Sequence, residues 1–153
     1  MSVDGTARIE DSTVGDAEIR EYVTVHDSTV GDGVRVYERT SLKKCDIEGP
    51  TDINANAYVE NARLRPEVQV GPNAAVVGVT HDLDDDGMTF RDDVFETVVL
   101  ERGAFVGAGA VVLSGVTVGE DAVVGAGVTV REDVPAGTVL RESRWRGRAR
   151  GPA

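Results

Sequence analysis

From Leu100 onward an aliphatic residue returns at every sixth position: Leu100, Val106, Val112, Val118, Val124 and Val130. Four places after each stands a small or β-branched residue: Ala104, Ala110, Val116, Ala122, Val128 and Val134. Glycine follows the lead aliphatic at Gly107, Gly119 and Gly125. A period of six is too short for a helix and too regular for a loop, and it suits a short strand followed by a corner. The first half carries a looser version. Val25, Leu42, Val59 and Val76 stand 17 apart, as do Val30, Ile47 and Leu64, and Val36, Ile53 and Val70. Each interval of 17 divides into steps of five, six and six, and Ile9 and Val3 extend the ladder toward the start with a shorter step.

Three short faces therefore make one coil of 17 or 18 residues. Stacked coils give an all-β solenoid, a triangular prism with its lead aliphatics inside. The small fourth residue fits the narrow interior, and Gly, Asp and Asn suit corners where positive φ is cheap for them. Each buried Val or Leu contributes about 1.5–3 kcal/mol. A β-sandwich is the disfavoured alternative, because it needs two-residue alternation and hairpin turns. The repeat assigns 1–140 to the solenoid domain and 141–153 to an Arg-rich tail. Periodicity stops after Val76 and resumes near Val98, which predicts an excursion loop over 82–97 with His81 at its mouth.

Composition bounds what such a prism does. Sixteen Lys+Arg face 27 Asp+Glu, a net charge of −11. That disfavours nucleic acid and anionic membranes as partners of the body. No apolar run is long enough to span a bilayer. The start, Met1 to Asp4, lacks the layout of a signal peptide, so the protein is expected to be cytoplasmic. The single cysteine, Cys45, excludes an internal disulfide. It falls at the fourth place of a face and reads as a packed small residue. Only Lys43 and Lys44 are lysine, against 14 arginines. Abundant carboxylates with almost no lysine predict a halophilic protein, its self-repulsion screened by concentrated salt.

The segments Phe105 to Gly119 and Ala122 to Pro135 resemble the hexapeptide-repeat acyltransferases. The resemblance spans residues 3 to about 140 and is closest over 98–135. It implies a left-handed parallel β-helix, a homotrimer, and acyl transfer from coenzyme A, with acetyl-CoA as the donor expected here. The stretch Val70 to Leu83 is similar to the place where family members pause for an excursion and often carry a histidine base. The return, Phe95 to Val99 and then Arg102 to Ala104, is similar to transferases that acylate amino groups of nucleotide-linked sugars.

On that resemblance His81 is the catalytic base, taking a proton from an acceptor amine or hydroxyl. Ala108 and Ala126, each between glycines at equivalent corners, correspond to positions whose backbone binds the pantetheine arm. A backbone amide near Ala108 is the expected oxyanion donor. Phe105 falls where many relatives have tryptophan. Arg131 replaces a commoner small hydroxyl residue, and the family's Gly-Asn-Pro-Ala-like turn after Gly137 is missing. Arg144 and Trp145 in the tail are the residues expected to hold the adenine and phosphate end instead. The same tail also reads as a solvated or RNA-touching arm. Asn61, Asn73 and Glu96 are candidate acceptor contacts. His26 follows the inward Val25 and should point outward.

No metal is expected. Two histidines fall short of the three imidazoles of a gamma-class carbonic anhydrase zinc site, the less favoured alternative. Asp82-Leu-Asp-Asp-Asp-Gly87 fits the start of a calcium loop, but its twelfth place is Asp93 rather than Glu. A non-catalytic trimeric β-helix scaffold is the other alternative.

Overall fold

A computed structural model describes residues 1–83, 87 and 92–142. Every regular element among them is a strand of two or three residues, and no helix occurs that is long and apolar enough to cross a membrane. The strands stack into three parallel sheets, the three faces of the prism. Face one has eight strands, beginning with Ser2–Val3 and ending with Val139–Leu140. Face two has seven, from Arg8–Glu10 to Thr129–Val130, and face three has six, from Thr13–Val14 to Thr117–Val118.

Register follows the sequence ladder. On face one Val3 lies beside Ile19, then come Val36, Ile53, Val70, Val106, Val124 and Leu140. On face two the column runs Ile9, Val25, Leu42, Val59, Val76, Val112, Val130. Face three stacks Val14, Val30, Ile47, Leu64, Leu100 and Val118. From Ile19 to Val130 these lead residues are at most 1% exposed. The small residues between them, such as Ala57, Ala74, Ala104, Ala110 and Ala122, are equally dry. The interior is thus one apolar core along the prism axis.

Leu64 pairs directly with Leu100, 36 positions on, whereas Leu100 pairs with Val118, 18 positions on. One coil's worth of chain is therefore looped out without shifting register. The excursion opens earlier than the expected residue 82. Val79–His81 and Asp93–Phe95 form an antiparallel pair, the only non-parallel one among the described strands.

Corners force the backbone into the left-handed region in columns. Between faces one and two the column is Tyr22, Arg39, Asn56, Asn73, Gly109 and Gly127. Between faces two and three it is Asp11, Asp27, Lys44, Asn61 and, beyond the excursion, Gly115.

Candidate active site

The hairpin is rooted at the corner between faces two and three. Gly78 takes the place next above Asn61, and a Cβ there would lie 2.2 Å from the Asn61 carbonyl oxygen. Only glycine lets the chain leave so close to the coil below. The Gly78 N–H donates to Glu60 O at 2.8 Å, and Glu96 N–H donates to Gly78 O at 2.9 Å. Asn61 closes the root from both sides. Its Nδ2 donates to Gly78 O at 2.8 Å, and its Oδ1 accepts from Thr97 Oγ1 at 3.3 Å. Its left-handed conformation, φ 49°, is one that asparagine tolerates.

On the hairpin His81 stands directly opposite Asp93, and His81 Nδ1 is 3.1 Å from Asp93 Oδ1. Both side chains are about half exposed, 53% and 51%. At that separation the carboxylate lies within ion-pair range of the ring. Two residues along the same strand from Asp93, the Phe95 ring lies 4.3 Å from Lys44 Nζ, which ties the hairpin to the corner beneath it.

The expected coenzyme residues lie on a different edge, between faces one and two. Ala108 and Ala126 are exposed and sit in one column, one coil apart. Gly127 N–H donates to Ala108 O at 2.9 Å, and Gly109 N–H donates to Pro72 O at 2.9 Å. The amide N–H groups of Ala108 and Ala126 donate no hydrogen bond among the described residues. A Cβ on Gly71 would lie 2.6 Å from Ala108 N, and one on Gly107 would lie 2.6 Å from Ala126 N. Gly109 and Gly127 have nothing within 4 Å of where a Cβ would point. The edge is therefore a bare backbone ledge with spare donors, which fits an extended amide-bearing arm such as pantetheine.

Phe105 projects from the outer surface of face one, between Gln69 and Val123, and is 37% exposed. Asn73 is an exposed left-handed corner residue, φ 62°, whose N–H donates to Ala55 O. Glu96 is exposed at the return of the hairpin, its Oε2 only 2.8 Å from where a Cβ on Gly115 would stand. Arg131 is exposed and borders a cavity of about 330 Å³ at the C-terminal end of the prism, with Val134, Pro135 and Leu140. Arg144 and Trp145 lie outside the described residues, as do 84–86 of the acidic run. Within one chain the structure brings His81 to one prism edge and Ala108 and Ala126 to another.

Three features escaped sequence reasoning. Asp93 was weighed only as a calcium position, and its pairing with His81 needs the hairpin register to be seen. Asn61 holds the hairpin root, for which asparagine at a left-handed corner was the available signal. Beneath the hairpin root Glu60 is only 8% exposed and accepts the Tyr58 hydroxyl. Burial first, then that carboxylate, pushes the Tyr58 phenol up to about 12. Nearby, burial raises the Cys45 thiol to about 11, and its Sγ lies 3.2 Å from Val59 O. Among the described residues no group of three or more His, Cys, Asp or Glu is placed to hold a metal ion. His26 sits on the outer surface of face two, its Nδ1 3.6 Å from Glu10 Oε2.

Residues 97–132 match the family model described as bacterial transferase hexapeptide (six repeats). No curated protein sequence matches the chain. Among solved structures, a mutant of AntD, an N-acyltransferase from Bacillus cereus in complex with dTDP and coenzyme A, is 16% identical. The match covers 84% of this chain and 77% of that one, with a TM-score of 0.76. A hexapeptide-repeat containing acetyltransferase from Vibrio cholerae is 21% identical over 88% of this chain and 67% of its own, with a TM-score of 0.55. A mutant of GDP-perosamine N-acetyl transferase from Caulobacter crescentus, in complex with CoA and GDP-perosamine, is 24% identical. There the match covers 90% of this chain and 50% of that one, again with a TM-score of 0.55. The repeat and these folds agree with the stacked register: residues 97–132 carry the hexapeptide repeat, and the fold is that of a left-handed parallel β-helix.

Proposed function

We propose that this chain is an acyltransferase that moves an acyl group, acetyl in the first instance, from coenzyme A to an amine or hydroxyl of a sugar or nucleotide-linked sugar. The observation that carries the reading is the His81–Asp93 pair, 3.1 Å apart on a hairpin that breaks an otherwise unbroken solenoid. The likeness to proteins that bind coenzyme A together with dTDP or GDP-perosamine supports the acceptor class.

The acceptor nitrogen or oxygen attacks the thioester carbonyl while its proton passes to His81 Nε2. The carbon–sulfur bond breaks, the coenzyme leaves as its thiolate, and the proton held by His81 can then neutralise it. Asp93, 3.1 Å from Nδ1, is the group proposed to orient the imidazole. The unpaired Ala108 N–H is the donor proposed for the carbonyl oxygen as it gains negative charge.

The hairpin edge and the bare ledge are separated by the width of face two, about 15–20 Å for a side of five to six residues. One chain alone does not bring the thioester to His81. We therefore place the reaction between copies of a homotrimer, the hairpin of one subunit over the ledge of the next. The carboxylate-rich, lysine-poor surface suits a cytoplasm of high ionic strength.

The test is acetyl-coenzyme A titration by calorimetry in molar salt, followed by release of free coenzyme A thiol with a panel of nucleotide-linked amino sugars. The coenzyme should bind. His81→Ala should lower kcat by about 10²–10⁴ with coenzyme affinity nearly intact. Absence of coenzyme binding leaves a trimerising scaffold as the reading.

A further inference from the structure

The chain keeps both of its lysines at consecutive positions, Lys43 and Lys44, and uses arginine everywhere else. Those lysines lie beside the hairpin root. Lys43 projects from face two between His26 and Glu60, and Lys44 occupies the corner. Arg63 projects from face three across the same edge, between Asp46 and Val99. All three are exposed, and none is in an ion pair among the described residues. Elsewhere Arg20, Arg35, Arg65 and Arg102 are each within 3.4 Å of a carboxylate. A chain of net charge −11 thus gathers at one spot three cations without an ion pair among the described residues, as Arg8, Arg39 and Arg131 are singly elsewhere. Lys44 and Arg63 line a cleft of about 260 Å³ together with Asn61, Thr97 and the two carboxylates Asp27 and Asp46.

The reactive side of the hairpin meets one residue of this cleft, Lys44. Residues directly opposed across an antiparallel pair share a side, and so do residues two apart along one strand. Val79 opposes Phe95 and His81 opposes Asp93, so all four side chains lie on one side of the hairpin. Phe95 rests on Lys44, 4.3 Å from ring centre to Nζ, which places that side toward Lys44. His81 and Asp93 follow one step of two residues farther out, about 7 Å along the strand. That is the reach of one sugar ring with its linking oxygen.

The geometry points to a phosphate site: Lys44 and Arg63, flanked by Lys43, bind the phosphate of the acceptor, a sugar joined to a nucleoside diphosphate, so that the sugar ring reaches His81. This rests on the acyltransferase reading and adds the group by which the acceptor is held. Lysine binds phosphate as a mobile point charge and arginine as a planar fork, and the Asn61 amide, whose Nδ2 carries a second N–H besides the one given to Gly78 O, lines the same cleft. Because Phe95 lies on Lys44, an anion drawn to that ammonium also fixes the strand that carries Asp93.

Coenzyme A has phosphates too, so the test separates the two sources. Calorimetry in molar salt with the full-length protein would use dTDP, GDP and coenzyme A as probes, with inorganic pyrophosphate as competitor. The variants are Lys44→Arg and the double variant Lys44→Gln with Arg63→Gln, each first matched to the parent's unfolding midpoint. At least one nucleoside diphosphate should bind the parent and be displaced by pyrophosphate. The double variant should bind it about tenfold more weakly or worse, since a charged hydrogen bond to phosphate is lost. Lys44→Arg should retain it, and coenzyme A affinity should hold within about twofold in every variant. No binding of either nucleoside diphosphate to the parent, equal binding by the double variant, or a loss confined to coenzyme A would each overturn the assignment. Failure of the parent to bind coenzyme A would instead count against the acyltransferase reading, whatever the diphosphates do.

Discussion

Asn61 offers the sharpest test of how the site is held. It is the last member of its corner column before Gly78, it has φ 49°, and its side chain grips both ends of the hairpin root. Asn61→Ala removes two hydrogen bonds, worth about 0.5–1.5 kcal/mol each in net stability. It also leaves a residue with a Cβ in the left-handed region without asparagine's local compensation, about 1 kcal/mol more. The expected loss is about 2–4 kcal/mol. Asn61→Gly removes the same bonds but is at ease at that φ, so its loss should be about 1–3 kcal/mol. The order is therefore parent, then glycine, then alanine, with about 1 kcal/mol between the two variants. Urea unfolding at one protein concentration in molar salt reads this, because an assembling chain has a concentration-dependent midpoint. Acyl transfer should fall in both variants as the Gly78–Thr97 root loosens. Equal stability of the alanine and glycine variants would refute the corner-conformation argument, and parent-like stability of both would show that the two bonds contribute nothing.

Ala108→Trp should block coenzyme binding without unfolding the prism, because the exposed corner side chain points away from the aliphatic ladder; normal binding by the folded variant moves the site elsewhere. The chain should scatter light as a trimer in molar salt and lose structure as salt is diluted, since 27 carboxylates then repel unscreened; a folded monomer at both salts refutes the assembly. The Cys45 thiol, 4% exposed, is raised by burial from 9.0 to about 11. Below pH 9 neither state ionises it; as pH rises from there toward 11 only the unfolded chain does, so up to about 3 kcal/mol of stability drains away. Cys45→Ala should flatten the fall of the urea midpoint over that window, and an unchanged slope would show that the buried thiol is not the cause.

The ladder was legible because each inward position is filled by the same physical demand, an aliphatic that fits a narrow triangular interior. Val25, Leu42, Val59 and Val76 recur at 17 and are fully dry in the structure. The excursion was legible only as a gap in that ladder. Its start was placed three residues late, because Val79 and Thr80 look like a continuing coil and nothing local marks an antiparallel return to Val94 and Phe95. His81 stood out by its place beside the gap. Asp93 did not, since it is 12 residues away and one of many aspartates. Register, not composition, joins them. Asn61 is legible only as a candidate acceptor contact, and its hold on the hairpin root, like the place of Lys44, is hidden for a related reason: it depends on which coil the hairpin leans over.

The two halves of the proposed site follow from one property of the prism. Inward residues are fixed by packing, but a corner is fixed only in backbone conformation and stays open on its outer side. Where the corner needs a close stack, glycine is obligatory, as at Gly71 and Gly107, whose added Cβ atoms would meet backbone of the next coil at 2.6 Å. Where it needs only positive φ, side chains are free to vary, and the same column holds Tyr22, Arg39, Asn56 and Asn73 before it is stripped to Gly109 and Gly127. Stripping one edge exposes backbone donors for an extended ligand. Looping out a coil's worth of chain at the neighbouring edge leaves Leu64 paired with Leu100 and the core undisturbed. Chemistry is thus added at the edges at little cost to the core, and in the proposed reaction, whose two edges diverge within one chain, function is coupled to assembly.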